Sequence, residues 1–251
     1  MERLKIGRTP VIWRVATVAE LHAETAHATT LVLDVADWPG HLAGQHVDVR
    51  LTADDGYQAQ RSYSIASSPE DARLALTVER IDEGEVSPYL TNEVRPGDQL
   101  ELRGPIGGYF TWRVADGGPL LLLGGGSGLV PLVAMLRYRA DAASDVEATL
   151  LVSARTLPDV LFRDELALHR QRGVEVRSTL TREQPSGWTG WSGRVSAEML
   201  REVGAGGDGG PEPRTFICGP TGFVEHVAEL LVELGRDPHT IKTERFGPTG
   251  G

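Results

Sequence analysis

Chemically active side chains are concentrated in the segment from Arg61 to Glu70, RSYSIASSPE. It places a guanidinium, a phenol ring and four serine hydroxyls around a single isoleucine. In an extended strand, Arg61 and Tyr63 lie on one face and Ser62 and Ser64 on the other. A ligand that touches both Tyr63 and Ser64 must therefore reach across the edge or the backbone of the strand. A flat ring with a phosphate tail meets this requirement.

A second candidate binding segment is LLLLGGGSGLVPLVAML, residues 120–136. A buried strand that runs directly into glycines and then into a helix leaves the first amides of the helix free to bind a phosphate. Gly124, Gly125 and Gly126 permit close approach of a ligand, and Ser127 offers a hydroxyl hydrogen bond or a helix cap. The alternative is that these glycines only allow tight packing between the strand and the helix.

Polar or reactive groups follow three later strands of the same half of the chain. Because the carboxyl ends of parallel strands meet at one edge of a sheet, we expect these groups to lie near the glycine loop. Arginine at that edge can bind a phosphate through two parallel hydrogen bonds. The competing interpretations are a solvated surface charge for each arginine and a small apolar core residue for the cysteine. The residues are Arg155, Thr181, Arg182, Cys218, Gly219 and Pro220.

The elements that must position these groups differ between the two halves of the chain. Residues 1–115 contain short, often β-branched segments broken by turns, which predicts an antiparallel β-barrel or sandwich with one small helix at residues 85–94. In residues 116–251, apolar strands alternate with amphipathic helices, which predicts a doubly wound parallel α/β domain. The Gly- and Pro-rich tract at residues 203–214 is expected to be a loop of this second domain.

Composition excludes several classes of function. The chain has 251 residues, with 35 acidic against 25 basic side chains, so we expect no nucleic-acid or anionic-membrane partner. The amino terminus lacks the apolar core of a signal peptide, and no run is long enough for a spanning helix, which favours a cytoplasmic protein. A single cysteine and scattered histidines give no metal site. We expect the histidines to be surface residues: His22, His27, His41, His46, His169, His226 and His239.

Six motifs occur in the order typical of one family. They are R-x-Y-S at 61–64, G-x-x-S at 84–87, G-P-x-G at 104–107, GGGSGLVP at 124–131, ICGP at 217–220 and TERFG at 243–247. Together they resemble the ferredoxin–NADP(+) reductase superfamily over nearly the whole chain. The resemblance implies a flavin-binding β-barrel followed by a pyridine-nucleotide-binding α/β domain. Because one cysteine cannot ligate a plant-type iron–sulfur cluster, we expect a stand-alone reductase module.

The resemblance implies that the first domain binds FAD rather than FMN. Arg61 would hold the flavin phosphate, Tyr63 would lie against the isoalloxazine, and Ser64 would hydrogen-bond near its N5 atom. Val86 and Ser87, at the start of the short helix, would bind the pyrophosphate, as helix amino termini do.

In the second domain the resemblance implies a nicotinamide nucleotide site. Gly125, Gly126 and Ser127 would cradle its pyrophosphate, and Cys218 and Glu244 would flank the nicotinamide.

The candidate catalytic residues are therefore Ser64, Cys218 and Glu244. Plant-type enzymes end in a tyrosine stacked on the flavin, whereas Phe246 lies inside an extended tail here. Phe246 is thus the candidate for the other face of the ring, with simple packing as the alternative.

The position of Thr181 and Arg182 matches the place where NADPH-preferring members carry a Ser-Arg or similar pair for the 2′-phosphate, and Arg155 is placed to assist. An acidic residue there would favour NADH. The sequence therefore predicts NADPH as the electron donor.

The expected reaction passes a hydride from NADPH to FAD and then electrons to a separate acceptor protein, such as a ferredoxin, a haem protein or another redox subunit. The basic stretch with Arg3, Lys5, Arg8 and Arg14 suits an acidic partner, although an ordinary solvated edge strand explains it as well. Two alternatives stay open: a reductase of free flavin or another small molecule, and a non-catalytic redox-sensing subunit. The oligomeric state is not predicted.

Overall fold

The computed structural model describes residues 11–204 and 212–247, which form two six-stranded sheets. Three residues of the basic stretch, Arg3, Lys5 and Arg8, lie outside the described ranges, and so does most of the Gly- and Pro-rich tract. Within the described ranges, no helix is long and apolar enough to cross a membrane.

The first sheet is antiparallel and closes into a barrel. Its strand order is β4-β3-β6-β1-β2-β5, and a bridge between Ile65 and Leu76 joins the two ends. The barrel interior is filled by alternate residues of the strands, such as Leu100 and Leu102, and burying each leucine contributes about 1.5–3 kcal/mol. The strands are β1 (Trp13–Thr25), β2 (Ala28–Val35), β3 (His46–Thr52), β4 (Gln58–Ser64), β5 (Leu74–Glu79) and β6 (Gln99–Ile106).

The predicted small helix lies between β5 and β6. It is a short π-helical segment, Tyr89–Glu93, preceded by Pro88. Leu90 and Val94 anchor it in the barrel core.

The second sheet is parallel throughout, in the order β10-β9-β8-β7-β11-β12. Its strands are β7 (Leu120–Gly125), β8 (Ala148–Ala154), β9 (Glu175–Leu180), β10 (Trp191–Ser192), β11 (Arg214–Pro220) and β12 (Ile241–Phe246). Its helices are α1 (Leu129–Asp141), α2 (Arg163–Gln171), α3 (Ala197–Glu202) and α4 (Thr221–Glu233).

Helices cover both faces of this sheet, as the sequence predicts. Leu120 and Leu122 pack in one core with α1 and α2, whereas Leu121 and Leu123 pack in another with α3 and α4. A continuous leucine run therefore serves both faces, because neighbouring strand residues point in opposite directions. The predicted combination of an antiparallel barrel and a doubly wound parallel domain is confirmed.

The two domains share part of a core. Ala66 and Trp112 from the barrel side pack in the same cluster as Leu120, Leu122 and α1. The domain boundary near residue 115 stays a prediction, since residues on both sides of it contribute to this cluster.

Candidate functional site

The glycine loop joins β7 to α1 through a short 3-10 turn, Gly126–Gly128. Gly126 has a positive φ of 56°, which glycine adopts at little cost. A Cβ atom at Gly128 would lie 2.1 Å from the carbonyl oxygen of Cys218. The loop is therefore packed directly against the end of β11, and both segments end at the same edge of the sheet.

Ser127 does not cap the helix. Gly128 holds the cap position of α1, and no side-chain hydrogen bond is made there. The Ser127 hydroxyl is half-buried at the wall of a cavity, which leaves the hydrogen-bonding role that the sequence offered as the alternative.

The carboxyl end of β11 is formed by Cys218, Gly219 and Pro220. Cys218 is only 1% exposed, and its burial and the nearby charge of Glu244 raise the pKa of its thiol. The sulfur is thus kept protonated and is a poor nucleophile. A Cβ at Gly219 would lie 2.7 Å from the ring of Phe223, so only glycine lets this ring pack on the backbone here.

A cavity of about 700 Å³ lies at the carboxyl ends of the parallel strands and opens onto the barrel. This volume is in the range of small-molecule and cofactor sites. The barrel contributes Glu79 and Arg80 to its wall. Predicted residues that line it are Gly125, Gly126, Ser127, Arg155, Thr181, Pro220 and Phe246.

Arg182 is not among the residues that line this cavity. Its amide donates to the carbonyl of Arg155, and the amide and hydroxyl of Thr181 both donate to the carbonyl of Ala154. The exposed guanidiniums of Arg155 and Arg182 therefore start from neighbouring, hydrogen-bonded loops. Arg194 also lines the cavity, and sequence reasoning missed it because it follows the two-residue strand β10.

The flavin-site residues predicted in the barrel lie on and beside β4. Tyr63 is half-buried against the barrel core, and its burial raises the pKa of its phenol. Ser64 ends the strand, opposite His46 of β3.

Arg61 is exposed and held by a neighbouring carboxylate. Its Nη2 atom lies 3.5 Å from Oε2 of Glu85, and Oε1 of the same carboxylate accepts a 2.7 Å hydrogen bond from the hydroxyl of Tyr57. Such an exposed pair contributes little, so the guanidinium can exchange Glu85 for another anion.

Val86 and Ser87 are buried at the start of the short helical segment. The Ser87 hydroxyl accepts a 3.0 Å hydrogen bond from the amide of Ile81, so it helps to shape the preceding turn.

Strand β12 fastens the second domain to the barrel. The Tyr109 hydroxyl donates to the carbonyl of Ile241 at 3.1 Å, and Lys242 Nζ donates to the carbonyl of Thr111 at 3.1 Å. Two residues further along, Glu244 lies beside Cys218 in the strand register and 3.5 Å from Nδ1 of His46.

These contacts bring the three candidate catalytic residues into one row. Ser64 is paired with His46, His46 contacts Glu244, and Glu244 is paired with Cys218. The Oε2 atom of Glu244 is buried and has no hydrogen-bond partner among the residues that the structure describes, so it is available to a ligand.

The histidine prediction is wrong at His169 and His46, and His41 and His226 are half-buried beside backbone carbonyls rather than exposed. His169 is 3% exposed on α2, beside Glu165, and His46 lies at the domain interface instead of the outer surface. The contact of His169 with Glu165 spans one turn of α2 and is a short-range signal, whereas that of His46 with Glu244 joins distant segments and has none.

The residues present fit the two expected cofactors. Gly125 and Gly126 line the cavity, and an added Cβ at Gly125 would lie 2.8 Å from the ring of Phe223, so only glycine lets the loop backbone reach the cavity wall, as close approach to a dinucleotide pyrophosphate requires. On the barrel, an exposed guanidinium, a half-buried phenol ring and a terminal serine follow one another along β4.

Comparison with known proteins agrees with this arrangement. The Oxidoreductase FAD-binding domain family matches residues 17–111, and the Oxidoreductase NAD-binding domain family matches residues 122–229. Ferredoxin--NADP reductase B of Sorangium cellulosum is 37% identical over 211 residues, which cover 81% of this chain and 84% of that protein. The chain belongs to the ferredoxin–NADP reductase family. It is an oxidoreductase of the kind that combines an FAD-binding and an NAD-binding domain.

Two further relatives show the range of proteins that carry this module. The glycine betaine monooxygenase reductase subunit of Chromohalobacter salexigens is 33% identical over 82% of this chain, which spans 56% of that subunit. The FAD/NAD-binding domain of a nitric oxide dioxygenase from Vibrio cholerae has a TM-score of 0.81 and 27% identity, with 94% of this chain and 99% of that domain covered. The predicted family and enzyme class are confirmed.

Proposed function

We propose that this chain is an NADPH-dependent FAD reductase that passes electrons to a separate redox protein. The observation that best supports this function is a row of four residues across the domain interface: Ser64, His46, Glu244 and Cys218. It joins the end of the proposed flavin strand to the end of the proposed nicotinamide site. A reductase needs such a junction because its two rings must meet within about 3–3.5 Å.

Three residues of the barrel would each have one role at the flavin. Arg61, released from Glu85, would bind the FAD phosphate, and Tyr63 would pack against the flavin ring. Ser64 would donate its hydroxyl proton toward the ring nitrogen that receives the hydride. When bound, the cofactors supply the hydride and electron chemistry, so the protein needs no strong general base.

The second domain would bind and orient the nucleotide. The amides of Gly125, Gly126 and Ser127 would hold its pyrophosphate, with Pro220 on the cavity wall and Gly219 next to it in the chain. Cys218, buried and protonated, would offer a compact apolar contact for the nicotinamide. Glu244 would place its buried carboxylate oxygen near the same ring.

NADPH preference is proposed from the charge at the outer end of the cavity. Arg155 and Arg194 line it, and Arg182 lies on the loop hydrogen-bonded to that of Arg155. A 2′-phosphate adds nearly two negative charges, which arginines bind better than they bind the hydroxyl of NADH. An Arg182→Ala variant with an unchanged NADPH-to-NADH ratio of kcat/KM would refute the role of Arg182.

The acceptor is proposed to be another protein. The glycine betaine monooxygenase relative is by name a reductase subunit, which supports this choice. The alternative is a reductase of free flavin. Co-elution of a yellow FAD-bound protein in gel filtration supports the first possibility, and loss of the colour supports the second.

Anaerobic addition of NADPH tests the proposal as a whole. We expect the long-wavelength flavin absorbance of the FAD-loaded protein to disappear after NADPH is added. A flavin that stays oxidised while both nucleotides bind would instead indicate the non-catalytic sensing subunit.

A further inference from the structure

His46 makes an unexpected contact between the two domains. Its Nδ1 atom lies 3.5 Å from Oε1 of Glu244, and both side chains are 25% exposed. The imidazole lies over the backbone of Gly107, where an added Cβ atom would be 3.5 Å from Nδ1. The ring is therefore seated at the interface and faces the carboxylate.

This contact differs in kind from the other attachments of β12. Those of Ile241 and Lys242 use backbone carbonyls as acceptors, so they do not depend on the protonation of a histidine. Within residues 11–204 and 212–247, His46 is the basic side chain found within 4.0 Å of the Glu244 carboxylate. A proton on His46 therefore changes the charge next to Glu244 without loosening the remaining attachments.

The other charged neighbour of His46 is already neutralised. Asp48, two residues along β3, forms a salt bridge with Arg103 of β6 at 2.6 Å. It also accepts a 2.6 Å hydrogen bond from the Ser62 hydroxyl of β4. On β11, the thiol of Cys218 faces Glu244 and carries no charge at neutral pH, since burial raises its pKa. A positive charge on His46 therefore interacts mainly with the Glu244 carboxylate.

The charge at Glu244 matters for a nicotinamide ring. When the reduced ring gives a hydride, one proton with two electrons, to the flavin, it becomes a cation. A carboxylate in a partly buried site stabilises this cation more than it stabilises the neutral reduced ring. An imidazolium on the other side of that carboxylate opposes this stabilisation.

We propose that His46 is a positioning residue that controls the net charge beside the Glu244 carboxylate. Protonation of His46 then weakens the preference of the site for oxidised over reduced nicotinamide. This rests on the proposed function, since it places the nicotinamide beside Glu244. It makes the exchange of oxidised for reduced nucleotide depend on the protonation of His46.

Equilibrium binding to the FAD-loaded protein tests the proposal. The probes are NADP+ and tetrahydro-NADP, whose ring is neutral and cannot donate a hydride. Both carry the same 2′-phosphate, so the ratio of their dissociation constants cancels the titration of that phosphate. Isothermal titration calorimetry would give this ratio between pH 6.0 and pH 8.5.

In the wild-type protein we expect the preference for NADP+ to fall by about threefold from pH 8.5 to pH 6.0, the size expected of a partly exposed ion pair. His46→Gln should keep the high-pH preference across the range, because its amide is never charged. Glu244→Gln should give a low preference at every pH. His22→Gln is the matched control, since His22 forms an exposed pair with Glu20 at 3.1 Å on the same barrel.

The proposal is overturned by a wild-type ratio that does not change with pH, or by a His46→Gln variant that keeps the wild-type pH dependence. His46→Asn serves as a second neutral variant if His46→Gln does not fold. Failure of both probes to bind any variant would refute the proposed function itself, and the role of His46 with it.

Discussion

Substituting Gly128 by alanine should damage both stability and electron transfer, because the added methyl group has no room. It would lie 2.1 Å from the carbonyl oxygen of Cys218, 2.3 Å from its carbonyl carbon and 2.5 Å from the amide of Gly219. All three are backbone atoms, so rotation of a side chain cannot relieve the clash. Reaching an ordinary contact of about 3.4 Å requires the glycine loop and the end of β11 to separate by more than about 1 Å.

The expected loss of stability is the balance of two effects. Overpacking of this kind costs about 1–3 kcal/mol. Gly128 has φ of −61° and ψ of −11°, which alanine adopts easily, and the substitution returns up to about 1 kcal/mol by restricting the unfolded chain. We therefore expect the free energy of unfolding to fall by about 1–2 kcal/mol in a urea titration.

The effect on electron transfer should be larger. A displacement of about 1 Å at Cys218 moves one wall of the proposed nicotinamide site, and such misplacement can reduce a rate by about 100-fold. Anaerobic stopped-flow measurement of flavin reduction by NADPH reports this directly. Gly108→Ala is the control, because Gly108 is exposed and its added Cβ meets nothing within 4 Å. A Gly128→Ala variant as stable as this control, with a reduction rate within twofold of wild type, would refute the reasoning.

Three further perturbations follow from the charges of the structure. Burial alone would raise the pKa of Glu165, but hydrogen bonds from Arg137 and the contact with His169 at 3.3 Å outweigh it and lower the pKa to about 2. This stabilisation is complete above about pH 4.5 and is lost as the pH falls toward 2. Arg137→Met should therefore lower the free energy of unfolding by about 2 kcal/mol at pH 7 and by progressively less below pH 4.5, as measured by urea titration. Glu79→Gln removes a carboxylate from the cavity wall beside Gly126, so NADP+ should bind about twofold more tightly at low salt and equally at 0.5 M salt. Arg194→Ala should weaken binding of NADP+ by about tenfold in calorimetry while binding of NAD+ stays within twofold; equal losses for both would place Arg194 away from the 2′-phosphate.

Arg137 also joins the two domains. Arg137 of α1 donates a 2.7 Å hydrogen bond to the carbonyl of Ala66, which lies two residues after Ser64. The same guanidinium makes two hydrogen bonds to Glu165 of α2, at 2.8 and 2.6 Å. The helix that begins at the glycine loop is thereby fastened to the segment that follows the proposed flavin strand. We expect Arg137→Lys, which cannot make all three bonds, to slow flavin reduction more than it lowers stability.

Features carried by local periodicity were predictable from the sequence. The leucine run 120–123 followed by glycines indicated the strand, the loop and the start of α1, because burial on both faces requires an unbroken apolar run. The alternation in β6, with Leu100 and Leu102 inward, likewise indicated a half-buried strand.

Features that depend on contacts between distant segments were not predictable. Strand β10 is two residues long and has no measurable period, so no sequence pattern placed Arg194 at the cavity. His46 and Glu244 come together only through the three-dimensional arrangement of two domains. The sequence allowed Ser127 to cap α1, but it does not, because a 3-10 turn precedes α1 and places Gly128 at the cap position.

Anaerobic stopped-flow mixing of the FAD-loaded protein with NADPH, unlabelled or deuterated at the transferred C4 position, tests the central claim most directly. The proposed function predicts that the flavin absorbance bleaches in a single turnover, and that deuterium at this position slows the bleaching. A flavin that stays oxidised with NADPH and with NADH would contradict the account. Bleaching at the same rate with both isotopes would contradict the prediction that hydride transfer limits this reduction.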